Sequence, residues 1–289
     1  MRQWSAAPSI QLGRIALLLT LTACVAGGGA SAQTAPAAPA APAPTYADLV
    51  GLAERSPVVA EVAVDDQATV PPERAPGLAP GRARLYVEAE TRRVLKGPSA
   101  LGQSISYLVD VPLNAKGKPP KLKKLAFLLF ADSVAGHPGE LQLVKPDAQL
   151  PADPGLEDRV RQVIAQLVAP DAPPHVTGVR NVISVAGNLA GESETQMSIE
   201  TSDGAPGSLT VIRRPNMAPT WGVSWTEVVD QSAKPPEPGT LAWYRLACFL
   251  PRQLKPDDFL QADAAGRQRA EADYRFILAS LGPCERTRQ

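Results

Sequence analysis

The chain has few of the residues that build metal and nucleophilic sites, with three cysteines and two histidines among 289 residues. His137 and His175 lie far apart, and neither has a second ligand at the spacing that zinc sites use. The chain also lacks an excess of charge, because Lys+Arg and Asp+Glu both number 29. We therefore expect no metal, no cofactor and, on electrostatic grounds, no nucleic-acid partner.

A long apolar run is missing too. The N-terminal run Ile15–Ala26 has about a dozen residues, whereas a membrane-spanning helix needs roughly 20. Arginines precede this run and Ala30-Ser31-Ala32 follows it, which is the arrangement of a secretory signal cut before Gln33. We expect residues 1–32 to be a signal peptide and the mature chain to have no transmembrane span.

A second processing site overlaps the first. Leu21-Thr22-Ala23-Cys24 resembles a bacterial lipobox, in which the cysteine is lipidated and becomes the first mature residue. Both sites remain open, with a slight preference for the cut before Gln33. Either outcome predicts a periplasmic protein or a lipoprotein that faces the periplasm, with residues 33–44 as an extended Ala/Pro linker.

What is abundant is proline and glycine, 30 and 22 residues respectively. This composition favours turns and short strands, so we expect an α+β fold that is mainly β. Ala83, Leu85, Val87 and Ala89 alternate with polar residues, which indicates a strand with one buried face. We predict a β-barrel-like domain at 45–150, a connecting helix and linker at 151–172, an antiparallel β-meander at 173–232 and a helical C-terminal segment at 233–289.

Two cysteines remain once Cys24 is removed or lipidated. Cys248 and Cys284 should pair in an oxidising compartment, which would fasten the C-terminal helix to the preceding segment. The alternative is a buried thiol at Cys248 and a free thiol at Cys284.

Five of the nine residues from 116 to 124 are lysines, namely Lys116, Lys118, Lys121, Lys123 and Lys124. Such a loop could approach an anionic envelope surface, and the alternative is a solvated hairpin tip that deters strand aggregation. His175 is the candidate general base, and Glu192 with Glu194 could form an acid/base pair or a calcium site. His175 has no sequence-adjacent partner, and a calcium loop needs more oxygen ligands than the two glutamates supply. We therefore favour an ordinary loop histidine and an exposed turn. Trp221 and Trp225 are a candidate ligand platform, but core positions are favoured.

From Ala47 to Val144 the expected order is a short helix, a strand, a proline-rich loop, a long strand that ends Arg93-Val94-Leu95-Lys96-Gly97, and three more strands. This order resembles the OB and netrin-like (TIMP-like) small β-barrels of exported bacterial proteins. Netrin-like inhibitors chelate a protease zinc through a free N-terminal cysteine. Cys24 cannot do so if it is lipidated or removed, so that activity is not implied.

Our leading functional hypothesis is an exported, non-enzymatic envelope-accessory or binding protein of unknown ligand. Its partner would be an envelope protein or an anionic envelope surface. The alternative is a periplasmic hydrolase whose catalytic residues assemble only in the fold.

Overall fold

The computed structural model describes residues 42–98, 101–226, 232–260 and 263–288. The expected signal peptide, Cys24 and most of the Ala/Pro linker lie outside these ranges. The fold is α+β and mainly β, with 24% helix and 35% strand, as the composition predicts. The helices are α1 (Tyr46–Arg55), α2 (Pro154–Leu167), α3 (Leu241–Phe249) and α4 (Ala264–Leu281). The strands are β1 (Val58–Thr69), β2 (Arg82–Lys96), β3 (Ser104–Pro112), β4 (Ala126–Ser133), β5 (Glu140–Leu143), β6 (Gln149–Pro151), β7 (Val176–Ala186), β8 (Ser193–Thr201), β9 (Ser208–Arg213) and β10 (Thr220–Ser224).

The first lobe is a closed five-stranded barrel. Its strands follow the order β1-β2-β3-β5-β4, and β4 pairs back with β1. The short strand β6 lies along the β4 edge that β5 also uses. The alternating apolar residues of β2 are all buried in the barrel, which confirms the period-2 prediction.

β1 is longer than the sequence predicts. The proline-rich stretch from Asp65 was expected to be a loop, but the strand continues to Thr69, which pairs with Leu85. A register irregularity between Val64 and Asp66 lets the ladder continue after the apolar alternation stops. The loop prediction was therefore wrong for residues 65–69.

Both ends of the barrel are covered. At one end, Thr45 with Asp48 three residues later is a sequence pattern that predicts a capping box, and the structure has this box at the start of α1. Lys96 Nζ donates to the Ala53 carbonyl of the same helix at 2.8 Å. At the other end, the loop between β3 and β4 folds back over the core and buries Leu122, which is 5% exposed. The interior is thus closed to solvent at both ends.

The second lobe is the predicted antiparallel meander, with the strand order β10-β9-β8-β7. Trp221 is buried there, and its Nε1 donates to Ser280 Oγ of α4 at 2.8 Å. This is the core position that the sequence favours. Part of the predicted continuation of β10 toward Val229 lies outside the described residues.

α3 belongs to two hydrophobic clusters. Leu241 and Tyr244 pack in the cluster of the barrel, whereas Leu246 and Leu250 pack in the cluster of the meander. Residues from Pro42 onward belong to one compact unit. The two lobes therefore share this helix as part of their cores.

The C-terminal helix starts later than expected. The sequence predicts a helix from Asp257 with a break near Gly266, but Pro256–Asp258 is a separate 3-10 turn and α4 begins at Ala264. Asp263 caps α4, because its side chain accepts a hydrogen bond from Gly266 N at 2.6 Å. None of the helices in the described ranges is long and apolar enough to cross a bilayer.

The predicted disulfide is present. Cys248, at the end of α3, is bonded to Cys284, just beyond α4, and their Cα atoms are 5.0 Å apart. Beyond Cys284 the chain runs back to α1, where the Thr45 hydroxyl donates to the Glu285 carbonyl at 2.9 Å. We call residues 285–288 the C-terminal strap.

Candidate functional site

A groove of about 870 Å³ lies against β2, β3 and β5 on the outside of the barrel. Its volume is in the range of small-ligand sites, which is roughly 300–1,000 Å³. The segment after β1 forms one wall with Val70, Pro71 and Arg74. The segment after β5 forms the other, with Lys145 and Pro146.

The groove exists because β3 and β5 diverge. Their parallel ladder covers Ser106 with Glu140 and Tyr107 with Leu141, after which β5 turns toward β4. The chain returns to β3 only at Pro146, whose carbonyl accepts a hydrogen bond from Asp110 N at 2.7 Å. The gap between these two attachment points opens one side of the barrel surface.

The floor carries an apolar pair. Tyr86 of β2 and Leu108 of β3 are directly opposite each other in the antiparallel ladder, and they are 40% and 47% exposed. Cross-strand neighbours on one face have Cβ atoms about 5 Å apart, so the two side chains form a continuous apolar surface. A flat ring next to an aliphatic side chain is suited to contact with the apolar face of a ligand.

A charged pair lies beside this surface. Arg84 contacts the Asp110 carboxylate through both Nε and Nη2, at 2.7 Å and 2.9 Å. The side chains are 17% and 6% exposed, and Arg84 Nη1 also donates to the Pro76 carbonyl at 3.2 Å. The hydrogen bonds to Asp110 raise the pKa of Arg84 above its already high value, and the two side chains offset each other's charge.

The other charges of the groove are mixed in sign. Arg74 and Lys145 contribute positive charges to its lining, and Glu140 contributes a negative charge. Ser106 and Gln142 add uncharged hydrogen-bonding groups. The groove is therefore amphipathic and has no concentrated charge of one sign.

His175, the candidate general base, lies elsewhere and has both ring nitrogens occupied. Its Nε2 is 2.8 Å from Glu54 Oε1, and its Nδ1 is 3.1 Å from Arg245 Nη1. Arg245 is buried, and its Nη2 donates to the same Glu54 oxygen at 2.7 Å. These contacts join α1 to α3, and they leave His175 no nitrogen to accept a proton from a nucleophile.

Of the candidate pair, Glu192 lies in the turn before β8, whereas Glu194 lies within β8, so the expectation of an exposed turn was wrong for Glu194. Glu192 Oε2 accepts from Leu189 N at 3.2 Å, and Glu194 Oε1 accepts from Gln196 Nε2 at 2.8 Å. Among the residues that the structure describes, no group of three or more His, Cys, Asp or Glu side chains is arranged to hold a metal ion.

The five lysines of residues 116–124 are all exposed, and none of them lines the groove. The groove itself was missed by sequence reasoning. The one available signal was Tyr86, an aromatic residue on the polar face of the best-defined strand.

The chain matches no protein-family model, and no curated protein resembles it significantly.

Proposed function

We propose that this chain is an exported binding protein that holds an uncharged, amphipathic ligand in the groove between β3 and β5. The observation that carries the proposal is the exposed pair of Tyr86 and Leu108 on the groove floor. Large apolar side chains that are directly paired in a concave site are a mark of ligand binding, whereas scattered exposed ones are ordinary.

The charges favour an uncharged ligand. Arg84 and Asp110 satisfy each other, so neither offers its full charge to a bound molecule. Ser106 and Gln142 provide hydrogen bonds without charge. A neutral sugar chain fits this chemistry, because its ring faces are apolar and its edges carry hydroxyl groups.

Binding is favoured over catalysis by the contacts of His175. In the hydrolase alternative this residue would activate a nucleophile, but Glu54 and Arg245 occupy its two nitrogens. Export is supported by the N-terminal signal pattern and by the Cys248–Cys284 bridge, since disulfides are typical of oxidising compartments. The closed five-stranded barrel is compatible with the proposed likeness to OB and netrin-like barrels.

Calorimetric titration of the protein from Gln33 onward with neutral hexasaccharides, such as chitohexaose and maltohexaose, tests the proposal. Tyr86→Ala and Leu108→Ala should each weaken binding at least about tenfold, because each removes part of the apolar floor. Val94→Ala and Leu189→Ala are the matched controls, since both remove exposed apolar groups outside the groove. Equal losses in test and control variants, or no binding of any sugar, would overturn the assignment.

A further inference from the structure

The loop between β3 and β4, residues 113–125, carries an exposed cationic cluster, and we call this loop the lysine loop. All five of its lysines face solvent. Of these five lysines, only Lys123 has an ion-pair partner among the described residues, namely Asp66 at 3.5 Å. Both side chains of that pair are more than half exposed, so water screens their attraction.

The first half of the loop is built around Asn114. Its side-chain oxygen accepts hydrogen bonds from Lys116 N at 2.9 Å and from Lys118 N at 3.1 Å. Its backbone N–H donates to the Lys118 carbonyl at 2.9 Å. These three bonds close a compact turn and fix the directions in which Lys116 and Lys118 leave the backbone.

The second half is held by the barrel. Gln67 of β1 donates to the Pro120 carbonyl at 2.9 Å, and its side-chain oxygen accepts from Leu122 N. Leu122 is buried in the barrel core, and Lys124 N donates to the Val64 carbonyl at 2.8 Å. The loop is thus ordered before any partner arrives, which lowers the entropy lost on binding.

The shape of the loop indicates what it can bind. A small anion needs donors that converge in a cavity, but the lysine loop lies outside the groove and its side chains project into solvent. Leu125 directly follows Lys124 in the chain and is 49% exposed, so the lysine loop also presents an apolar side chain to solvent. Exposed lysines next to an exposed leucine complement a flat surface with anionic groups above an apolar layer.

We propose that the lysine loop docks the protein on an anionic lipid surface, with the ammonium groups at the headgroup phosphates and Leu125 at the boundary with the acyl chains. The formal net charge of the chain is zero, so the attraction would come from this cluster and not from the protein as a whole. The proposal is independent of the groove and of its ligand.

Sedimentation with lipid vesicles at low salt tests the proposal. The folded protein should bind vesicles that contain phosphatidylglycerol, bind pure phosphatidylcholine vesicles much less, and dissociate at high salt. Replacing all five lysines by serine should lower the partition coefficient at least about tenfold, whereas replacing all five by arginine should preserve it. Leu125→Ser should lower it by a smaller factor and make the remainder more sensitive to salt.

The matched control removes the same number of positive charges from exposed positions elsewhere, namely Arg92, Arg180, Lys234, Arg252 and Lys255. It should bind vesicles as the unmodified protein does. An equal loss in the control would show that net charge alone is responsible and would overturn the proposal. Lysine-dependent binding to soluble polyphosphate with no binding to vesicles would also overturn it, because the partner would then be a polyanion.

Discussion

The Thr287 hydroxyl donates a hydrogen bond to Asp48 Oδ2 at 2.7 Å and so joins two residues that are 239 positions apart. The backbone N–H groups of Thr287 and Arg288 donate to the same carboxylate at 3.0 Å and 3.2 Å. Thr45 N adds a fourth bond at 3.0 Å. One buried carboxylate thus caps the first helix and holds the C-terminal strap.

The first prediction is that this attachment is lost in acid. Burial by itself raises the pKa of Asp48, but the hydrogen bonds from Thr287, Thr45 and Arg288 outweigh it and hold the pKa below its usual value. A lowered carboxyl pKa stabilises the fold above the unfolded-state pKa of about 4, and the stabilisation disappears as the pH falls through the lower folded-state pKa. The protection of the amide hydrogens in residues 285–288, measured relative to the intrinsic exchange rate at each pH, should therefore fall below about pH 4.

The Asp48→Asn variant provides the comparison. The amide keeps the shape of the side chain but cannot accept all four bonds, so the strap should exchange rapidly at neutral pH and respond less to acid. Asp257→Asn changes an exposed carboxyl away from the strap and should leave the exchange profile as it is. Identical acid profiles in Asp48→Asn and the unmodified protein would refute the role of Asp48.

The second prediction concerns the disulfide. Replacing Cys248 and Cys284 by serine should lower the free energy of unfolding by about 2–4 kcal/mol, because the bridge restricts the unfolded chain. α4 and the strap should become the first segments to open, which hydrogen exchange would resolve. Asp48 holds the strap just beyond Cys284. Combining Asp48→Asn with the two cysteine replacements should therefore lower the free energy of unfolding by less than the sum of the separate losses. Additive losses would indicate that bridge and strap act separately.

The third prediction separates the two roles of the lysine loop. Replacing its five lysines by serine should change the free energy of unfolding by less than about 0.5 kcal/mol, because these side chains are exposed. Leu122→Ala should cost about 2–3 kcal/mol, because the side chain fills the end of the barrel core. Urea titration measures both.

The fourth prediction concerns the charged pair in the groove. Arg84→Ala should destabilise the barrel by about 3 kcal/mol, because it leaves the Asp110 carboxylate buried without its partner. The double change Arg84→Met with Asp110→Leu should be much milder, since no charge is left unpaired. Melting temperatures from thermal unfolding would rank the two variants by stability, and a double variant less stable than Arg84→Ala would contradict the prediction.

Local patterns were sufficient to predict most elements. The alternation in β2 predicts a half-buried strand, and Asp153 before Pro154 predicts the start of α2, which the structure confirms. The residues after Thr240 suit either a short helix or a strand, and the structure has the helix α3. The disulfide was predicted from the cysteine count, because the expected removal or lipidation of Cys24 leaves two cysteines to pair. These are short-range or arithmetical signals, and they do not depend on how the strands are arranged.

The groove and the strap depend on long-range arrangement. No local pattern specifies that β5 leaves β3 after Tyr107 and Leu141, although that divergence creates the groove. Asp48 reads as an ordinary capping residue, because its partners at Thr287 and Arg288 are brought to it only by the complete fold. The extension of β1 to Thr69 was missed because its bulge disrupts the apolar alternation.

The position of α3 in two cores has a consequence for how such a protein can evolve. A gene fragment that stopped in the proline-rich stretch 170–174 would encode the whole barrel but would omit Leu241 and Tyr244, which complete its core. A fragment that began there would keep α3 with its barrel-facing side chains uncovered. Duplication or exchange of either half would therefore expose apolar surface. We therefore expect the two lobes to be inherited together, as one evolutionary unit.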